Sequence, residues 1–413
     1  MVIRQHLIDP EICIRCNTCE ETCPIDAITH NDDNYVVNVD ICDLRMDCIM
    51  PCPTGAIDNW RMVTTAYTLE MQFSWEELPE QGSVKETGGA QEVSQTPADE
   101  PVPQPAVESE ANKILEIAHS GEGKVLPPFS AAHPFLNVYT RERPAIATVA
   151  GNFRITDSGS GSDIHHIVLD FIKTTFPVLE GQSIGIIPPG VDDKGRPHVV
   201  RLYSVASPRD GERPNHNNLS LTVKRVVVDN EDGRFEGLCS NYVCDLEKGD
   251  EVQVTGPFGN TFLMPNHPEA NIIMICTGTG SAPFRAMTER RRRKRQANDS
   301  GRILLFFGAR TKAELPYFGP LMKLPDDLIE KEIVFSREPD QPKEYVQDRM
   351  MSRADTIAKW LDDPDTYIYL CGLKGMETGV QESLASICRS HGKDWPSLAR
   401  EMRQQGRLHM ETY

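Results

Sequence analysis

Seven of the chain's twelve cysteines crowd into residues 13–52, and their spacing limits the possible folds more than any other feature. The first group, CIRCNTCEETCP (13–24), reads Cys-x2-Cys-x2-Cys-x3-Cys-Pro through Cys13, Cys16, Cys19 and Cys23. Two-residue steps let several thiolates of one loop wrap a compact inorganic core, and the proline turns the chain away after the last one. That is an iron–sulfur spacing. A structural zinc site is the rival reading, but zinc modules usually separate two ligand pairs by a longer loop. Cysteines clustered this way in a reducing compartment point to metal ligation rather than disulfides.

A second group, CDLRMDCIMPCP (42–53), overlays on the first with Cys42, Cys48 and Cys52 in register and Arg45 at the remaining position. CPIDAI (23–28) and CPTGAI (52–57) repeat the same half-unit. Residues 6–60 resemble bacterial two-cluster ferredoxins, apart from Arg45. In such units each cluster takes three cysteines from one motif and the fourth from the other. The resemblance therefore implies a first, 4Fe-4S cluster on Cys13, Cys16, Cys19 and Cys52, and a second on Cys42, Cys48 and Cys23. Three readings of the second site stay open. It is a 3Fe-4S cluster needing only three cysteines, a 4Fe-4S cluster with Asp43, Asp47 or water on the last iron, or absent. Two clusters are expected. Arginine keeps its proton at ordinary pH, so Arg45 is a poor ligand. Its charge beside a cluster would favour the reduced state.

At 413 residues the chain has room for two to four domains. The expected division is a two-cluster unit at 1–75, an acidic Pro/Gln-rich linker at 76–112, a β-barrel at 113–267 and an α/β domain at 268–413. The linker carries too few large apolar residues to bury a core and is expected to be disordered. A net charge of −18 argues against nucleic-acid binding. No apolar run approaches the ~20 residues of a membrane helix. The start, MVIRQHLIDP, lacks the apolar stretch of a signal peptide, so a cytoplasmic location is expected.

From about residue 125, EGQSIGIIPPG, HVVRLYSVAS, LSLTVKRVVV and DEVQVTGPFG are short apolar or alternating runs broken by Gly, Pro and Asn. They predict antiparallel strands. Further on, NIIMICTGTG, RILLFFGAR, EIVFSRE and TYIYLCGLKG alternate with helical stretches, the pattern of a parallel sheet. The expected class is therefore α+β and α/β multidomain.

RLYSVAS (201–207) offers a cation, an aromatic ring and a hydroxyl on one strand, with Arg201 and Tyr203 on one face. Gly237–Asn241 reads as a strand-to-helix turn whose free N–H groups suit a phosphate. With EGQSIGIIP, VKR, CSNYVCDL, TGPFG, CTGTGSAPFR, YLCGLKGME and HMETY, residues 125–413 resemble plant-type ferredoxin–NADP reductases from end to end. The resemblance implies an FAD-binding barrel and an NADP(H)-binding domain. It puts Arg201 on the FAD pyrophosphate, Tyr203 on a flavin face, Ser204 near the flavin N5 region, and Lys224 of VKR among the cofactor-binding residues. Gly237, Leu238, Cys239 and Ser240 would line the FAD phosphates. Val228 departs from the pattern, because plant enzymes often stack a tyrosine there on the FAD adenine. Cys239 and Cys244 read equally as plain buried thiols.

Thr277, Gly278 and Gly280 would form the NADP pyrophosphate loop. Ser336 and Arg337 offer a hydroxyl and a cation for a 2′-phosphate, and Tyr345 a ring for adenine, so NADPH is expected although Glu338 is near. Cys371, Gly372 and Leu373 would lie beside the nicotinamide, and Glu411 and Tyr413 would complete the active site, the terminal ring covering the flavin. RRRRKR (290–295) is read as a solvated helix face, with a docking patch for an acidic partner as the alternative. His165 and His166 read as structural.

Such a fusion looks like an oxygenase reductase: hydride from NADPH reaches FAD, and single electrons pass through the clusters to an outside acceptor. The arrangement resembles the reductase component of benzoyl-CoA oxygenase (epoxidase) systems, which implies a di-iron benzoyl-CoA epoxidase as partner. Two rivals remain: a reductase with an attached ferredoxin running toward NADPH, and a redox sensor without turnover.

Overall fold

The computed structural model describes residues 3–44, 46–49, 52, 54–57, 59–79, 127–230, 233–296 and 299–413. Arg45 and all but the first four residues of the expected linker lie outside them. The described chain forms two compact units: residues 3–79 with the short segment Gly319–Lys323, and residues 127–318 with 324–413.

The first unit runs β1 (Ile3–Leu7), α1 (Thr18–Thr22), β2 (Ile28–His30), β3 (Tyr35–Val37), β4 (Asn59–Val63) and α2 (Leu69–Phe73). β1 pairs with β4 and β2 with β3, both antiparallel. Its buried core mixes Ile8, Ile28, Tyr35, Val37 and Ile57 with the sulfurs of Cys19, Cys48 and Cys52. The buried Gln72 side chain extends the β3 edge: its amide donates to the Val37 carbonyl (2.9 Å) and accepts from the Val37 N–H (3.1 Å). This satisfies backbone groups that a three-residue strand would otherwise leave bare. The chain stays bonded to the unit as far as Pro79, whose carbonyl accepts from Arg61 Nε (2.8 Å).

The second unit begins with β5 (Ala145–Arg154), β6 (Ile164–Asp170), β7 (Ser183–Ile186), β8 (Arg201–Ser204), β9 (Asn218–Lys224), β10 (Val227–Asn230), β11 (Gly233–Glu236), α3 (Leu238–Asp245) and β12 (Glu251–Phe258). Six of these strands form one antiparallel sheet in the order β8-β7-β12-β5-β6-β9. A bridge between Val205 and Leu221 joins its two edge strands and closes it into a barrel. Closure removes the unpaired edges that an open sheet would expose. Gly185 sits where a Cβ would come within 2.3 Å of Thr255 Oγ1, so only glycine allows β7 and β12 to approach as they do. β10 and β11 form a separate hairpin with Val228 opposite Phe235.

The chain continues through β13 (Asn271–Thr277), α4 (Ser281–Lys294), β14 (Ile303–Ala309), α5 (Phe318–Lys323), β15 (Ile329–Phe335), α6 (Val346–Ser352), α7 (Ala354–Trp360), β16 (Thr366–Gly372), α8 (Lys374–Ser390), α9 (Trp395–Gln404) and β17 (Leu408–Thr412). The five strands form a parallel sheet ordered β15-β14-β13-β16-β17. Ile272–Cys276 and Tyr367–Leu370 have no exposed surface, as expected of parallel strands covered on both faces.

The run 290–295 corrects the expectation of a solvated face. Arg291 is buried and donates to the Ala270 carbonyl (3.1 Å). Arg293 donates to the carbonyls of Gly211 and Glu212 (both 2.7 Å). α4 is packed on its inner side, so its guanidinium groups satisfy loop carbonyls that have lost water. Deeper in the same unit, Arg285 of α4 forms a two-pronged ion pair with the fully buried Glu212 (2.7 Å on each oxygen). Ser220 donates to the same carboxylate (2.7 Å). His166 and Thr222 both reach the Tyr317 hydroxyl (2.8 and 2.7 Å), which agrees with a structural role for His166.

Candidate functional site

Strand order brings the residues expected beside the nicotinamide together at the C-terminal ends of β13 and β16. Here Cys276 lies in register with Cys371. On the other side of β16, Cys371 pairs with Glu411 and Gly372 with Thr412. Tyr413 follows directly. Its N–H donates to the Gly372 carbonyl (3.0 Å), and its phenol meets Thr279 Oγ1 (2.8 Å). Gly280 lies so close to β16 that a Cβ would come within 2.2 Å of the Cys371 carbonyl. Any side chain there would push the 278–280 turn off the strand.

Electrostatics single out the same corner. Burial pushes the Glu411 carboxyl up to about 7, so it holds a proton near neutrality. Burial, then Glu411, pushes the Cys371 thiol up. Burial also pushes the Tyr413 phenol up to about 12, although the residue as a whole is exposed. Thr277 Oγ1 is buried and has no hydrogen-bond partner among the described residues. Buried hydroxyls are seldom left so, and a ligand in the turn would satisfy it.

On the barrel, Arg201 and Tyr203 share a face of β8, with Ser204 beside them. Burial raises the Tyr203 phenol, which shares a hydrogen bond with the Cys239 thiol. Gly237 precedes α3, and Leu238, Cys239 and Ser240 form its first turn, where N–H groups have no helical acceptor. The Ser240 hydroxyl is already engaged, donating to the Gly237 carbonyl (3.0 Å) and accepting from Val226 N–H (3.2 Å). Its use toward a phosphate is therefore its backbone N–H.

Lys224 stands apart from this set. It lies in the field of Arg310 and Glu314, and partial burial, then Arg310, lowers its pKa. Arg310 follows β14, and its carbonyl accepts from Arg337 N–H (2.7 Å). Arg310 escaped the sequence reading, and its only signal there is a cation directly after an apolar strand. Arg337 is exposed and has no ion-pair partner among the described residues. Ser336 follows β15, its N–H donating to the Ala309 carbonyl (3.0 Å). Tyr345 is exposed, with Lys343 Nζ 4.8 Å from its ring centre. The Glu338 carboxylate accepts a bond from Lys312 N–H (2.6 Å) and is turned to the backbone.

In the first unit the seven cysteines separate around two cavities. Cys13, Cys16, Cys19 and Cys52 line one, with Ile8, Tyr35 and Ile57. Cys23, Cys42 and Cys48 line the other, with Asp43, Asp47 and His6. Each motif thus sends its last cysteine to the other's cavity. Among the described residues no three His, Cys, Asp or Glu side chains converge on a single metal-ion position. The sulfurs stand around a space instead, which suits a cluster better than one zinc. Burial pushes Cys13 up to about 12 and Cys48 up to about 11, and also raises Cys16 and Cys19. Iron would supply the charge that draws those protons off. Cys23 Sγ accepts from Ala27 N–H (3.3 Å). His6 is buried, stacks on Trp60 at 4.1 Å and bonds the Ile57 carbonyl. No local motif marks it.

The chain resembles known proteins in both units. Residues 6–29 match the 4Fe-4S binding domain family, and residues 274–382 the oxidoreductase NAD-binding domain family. The ferredoxin–NADP reductase of a Synechocystis species is 38% identical over 289 residues, covering 67% of this chain and 70% of its own. The chloroplastic leaf isozyme 1 of Arabidopsis thaliana is 36% identical over 287 residues, covering 67% and 79%. Among solved structures, ferredoxin-NADP+ reductase from Plasmodium falciparum is similar with a TM-score of 0.54 at 25% identity, over 68% of this chain and all of that one. A variant of that enzyme solved with 2′P-AMP gives a TM-score of 0.55 at 25% identity, over 67% and 98%.

Proposed function

The chain belongs to the ferredoxin–NADP reductase family, and from that premise we propose that it is the reductase component of an oxygenase system, drawing on NADPH and delivering single electrons through two iron–sulfur clusters. The observation that carries this reading is the pair of thiol-lined cavities on the same polypeptide as the reductase unit. FAD, when bound, takes a hydride's electron pair and releases it one electron at a time, the unit in which iron–sulfur clusters carry charge.

The chain's own residues would bind and orient. Arg201, Tyr203 and the free N–H groups of Leu238, Cys239 and Ser240 would hold FAD, with Gly237 leaving room for the phosphates. Thr277, Gly278 and Gly280 would take the NADPH pyrophosphate. Ser336 and Arg337 would take its 2′-phosphate and Tyr345 its adenine. The complex of a related enzyme with 2′P-AMP supports the choice of NADPH, as does the engagement of Glu338 elsewhere. Lys224, beside Arg310, fits the phosphate side of NADPH better than the flavin. Cys371, Gly372, Leu373 and Ser204 would frame the nicotinamide. Glu411 would hold a proton on its carboxyl up to about pH 7, and Tyr413 would yield its place as the nicotinamide enters.

The acceptor we propose is a di-iron benzoyl-CoA epoxidase, on the resemblance of the whole arrangement, and the setting is cytoplasmic. Among the described residues no helix is long and apolar enough to cross a membrane. Two measurements test the reading. Anaerobic NADPH should bleach the flavin, and persistent colour would sink it. NADPH oxidation should couple to benzoyl-CoA oxygenation only when the oxygenase is added; indifference to the oxygenase would reject that partner alone.

A further inference from the structure

We propose that Asp47 is the fourth protein ligand of the second cluster, completing Cys23, Cys42 and Cys48 with a carboxylate oxygen. This rests on the two-cluster reading above. Among the described residues only three cysteine thiols line the second cavity, but two carboxylates line it as well, Asp43 and Asp47. Two residues between Cys42 and Cys48 have an unusual backbone conformation. Leu44 and Met46 hold φ of 62° and 69°, the left-handed region that residues with a Cβ seldom adopt. Asp43 precedes the first of these residues and Asp47 follows the second, and both line the cavity. Strain of this kind persists where surrounding structure requires it, most often at functional sites.

The two acids are not equivalent. Asp43 already takes part in an interaction of its own. Asp47 is exposed and has no hydrogen bond or ion pair among the described residues, so its carboxylate is uncommitted. A carboxylate carries the same single charge as the thiolate it would replace, so the cluster's net charge is preserved. Oxygen is a harder donor than sulfur, so the iron it holds should be the most readily lost.

The test uses the full chain purified without oxygen, with iron and sulfide analysis and EPR of reduced and ferricyanide-oxidised samples. The unaltered protein should hold about eight irons and resist mild oxidation. Asp47→Ala should release about one iron as Fe2+ on oxidation, ferricyanide taking one electron, and gain the EPR signal of an oxidised three-iron cluster. Asp47→Cys should keep its iron, and Asp43→Ala should behave as the unaltered protein. The reduced signal of the first cluster, unchanged in every variant, reports that the unit is folded. A three-iron signal in the unaltered anaerobic protein overturns the proposal, as does an Asp47→Ala protein with full iron and an unchanged spectrum. About four irons in the unaltered protein would remove the second cluster itself and this ligand with it, a result distinct from the other two.

Discussion

The cluster unit and the reductase unit bury polar atoms in opposite ways. In the first, seven sulfurs face inward around two cavities, and few apolar side chains stand behind them. In the second, two large apolar cores fill the barrel and the parallel sheet, and buried charges are met by a counter-charge, as Arg285 is by Glu212, or by carbonyls, as Arg291 is by Ala270. Small units rarely bury enough apolar surface to hold alone and draw stability from metal. The reductase unit is large enough to fold around its own side chains, and at the end of β13 it leaves the buried Thr277 hydroxyl without a partner among the described residues. On the proposed reading, one unit would be organised by its iron–sulfur groups and the other completed by its cofactors.

The comparison breaks most directly on iron removal. Chelation under mild acid, or Cys19→Ser, should abolish hydrogen-exchange protection across residues 3–79 and leave the parallel sheet protected. Protection surviving in both units would erase the contrast. Next in size, Glu212→Ala leaves Arg285 buried and unpaired, which should cost the reductase unit about 3–5 kcal/mol. Thermal melting followed in that unit, with the cluster absorbance unchanged, checks this.

A smaller effect sharpens the ligand side. If Arg337 reads the 2′-phosphate, Arg337→Ala removes a charge-assisted bond of about 1.5–3 kcal/mol. KM for NADPH should then rise roughly 10- to 100-fold, while KM for NADH stays nearly unchanged. Equal losses would assign Arg337 no part in that choice. The smallest effect is a slope. The Glu411 value of about 7 in the folded chain lies above its ordinary 4.5. Between those values the native state binds the extra proton, so stability falls as pH rises through that window. Glu411→Gln should flatten the slope, as read from denaturation midpoints at several pH values.

Much of this is legible in the amino-acid sequence. The apolar runs around RLYSVAS, NIIMIC, RILLFFGA and TYIYLCG are the strands β8, β13, β14 and β16. The solvated face expected at 290–295 was not found, because a run of charge looks the same whether its helix faces water or loop carbonyls. Arg291 and Arg293 are consumed by the carbonyls of Ala270, Gly211 and Glu212, which no local pattern places nearby. His6 and Arg310 were missed for a related reason: each matters through a neighbour distant in the chain.

The chain by itself determined the features that depend on short spans. These are the thiol spacings, which bond lengths and turn sterics translate directly into reach, and the strand runs, whose burial follows from apolar pattern. Tertiary structure decided what depends on register between distant segments. Pairing β17 beside β16 sets Glu411 against Cys371 and brings Tyr413 to Thr279. Closure of the barrel onto α4 joins Glu212 to Arg285. Asp47 comes to line a cavity that also holds Cys23, from the other end of the repeat. Spacing is a local property of the backbone, whereas register and burial are settled only when whole sheets pack.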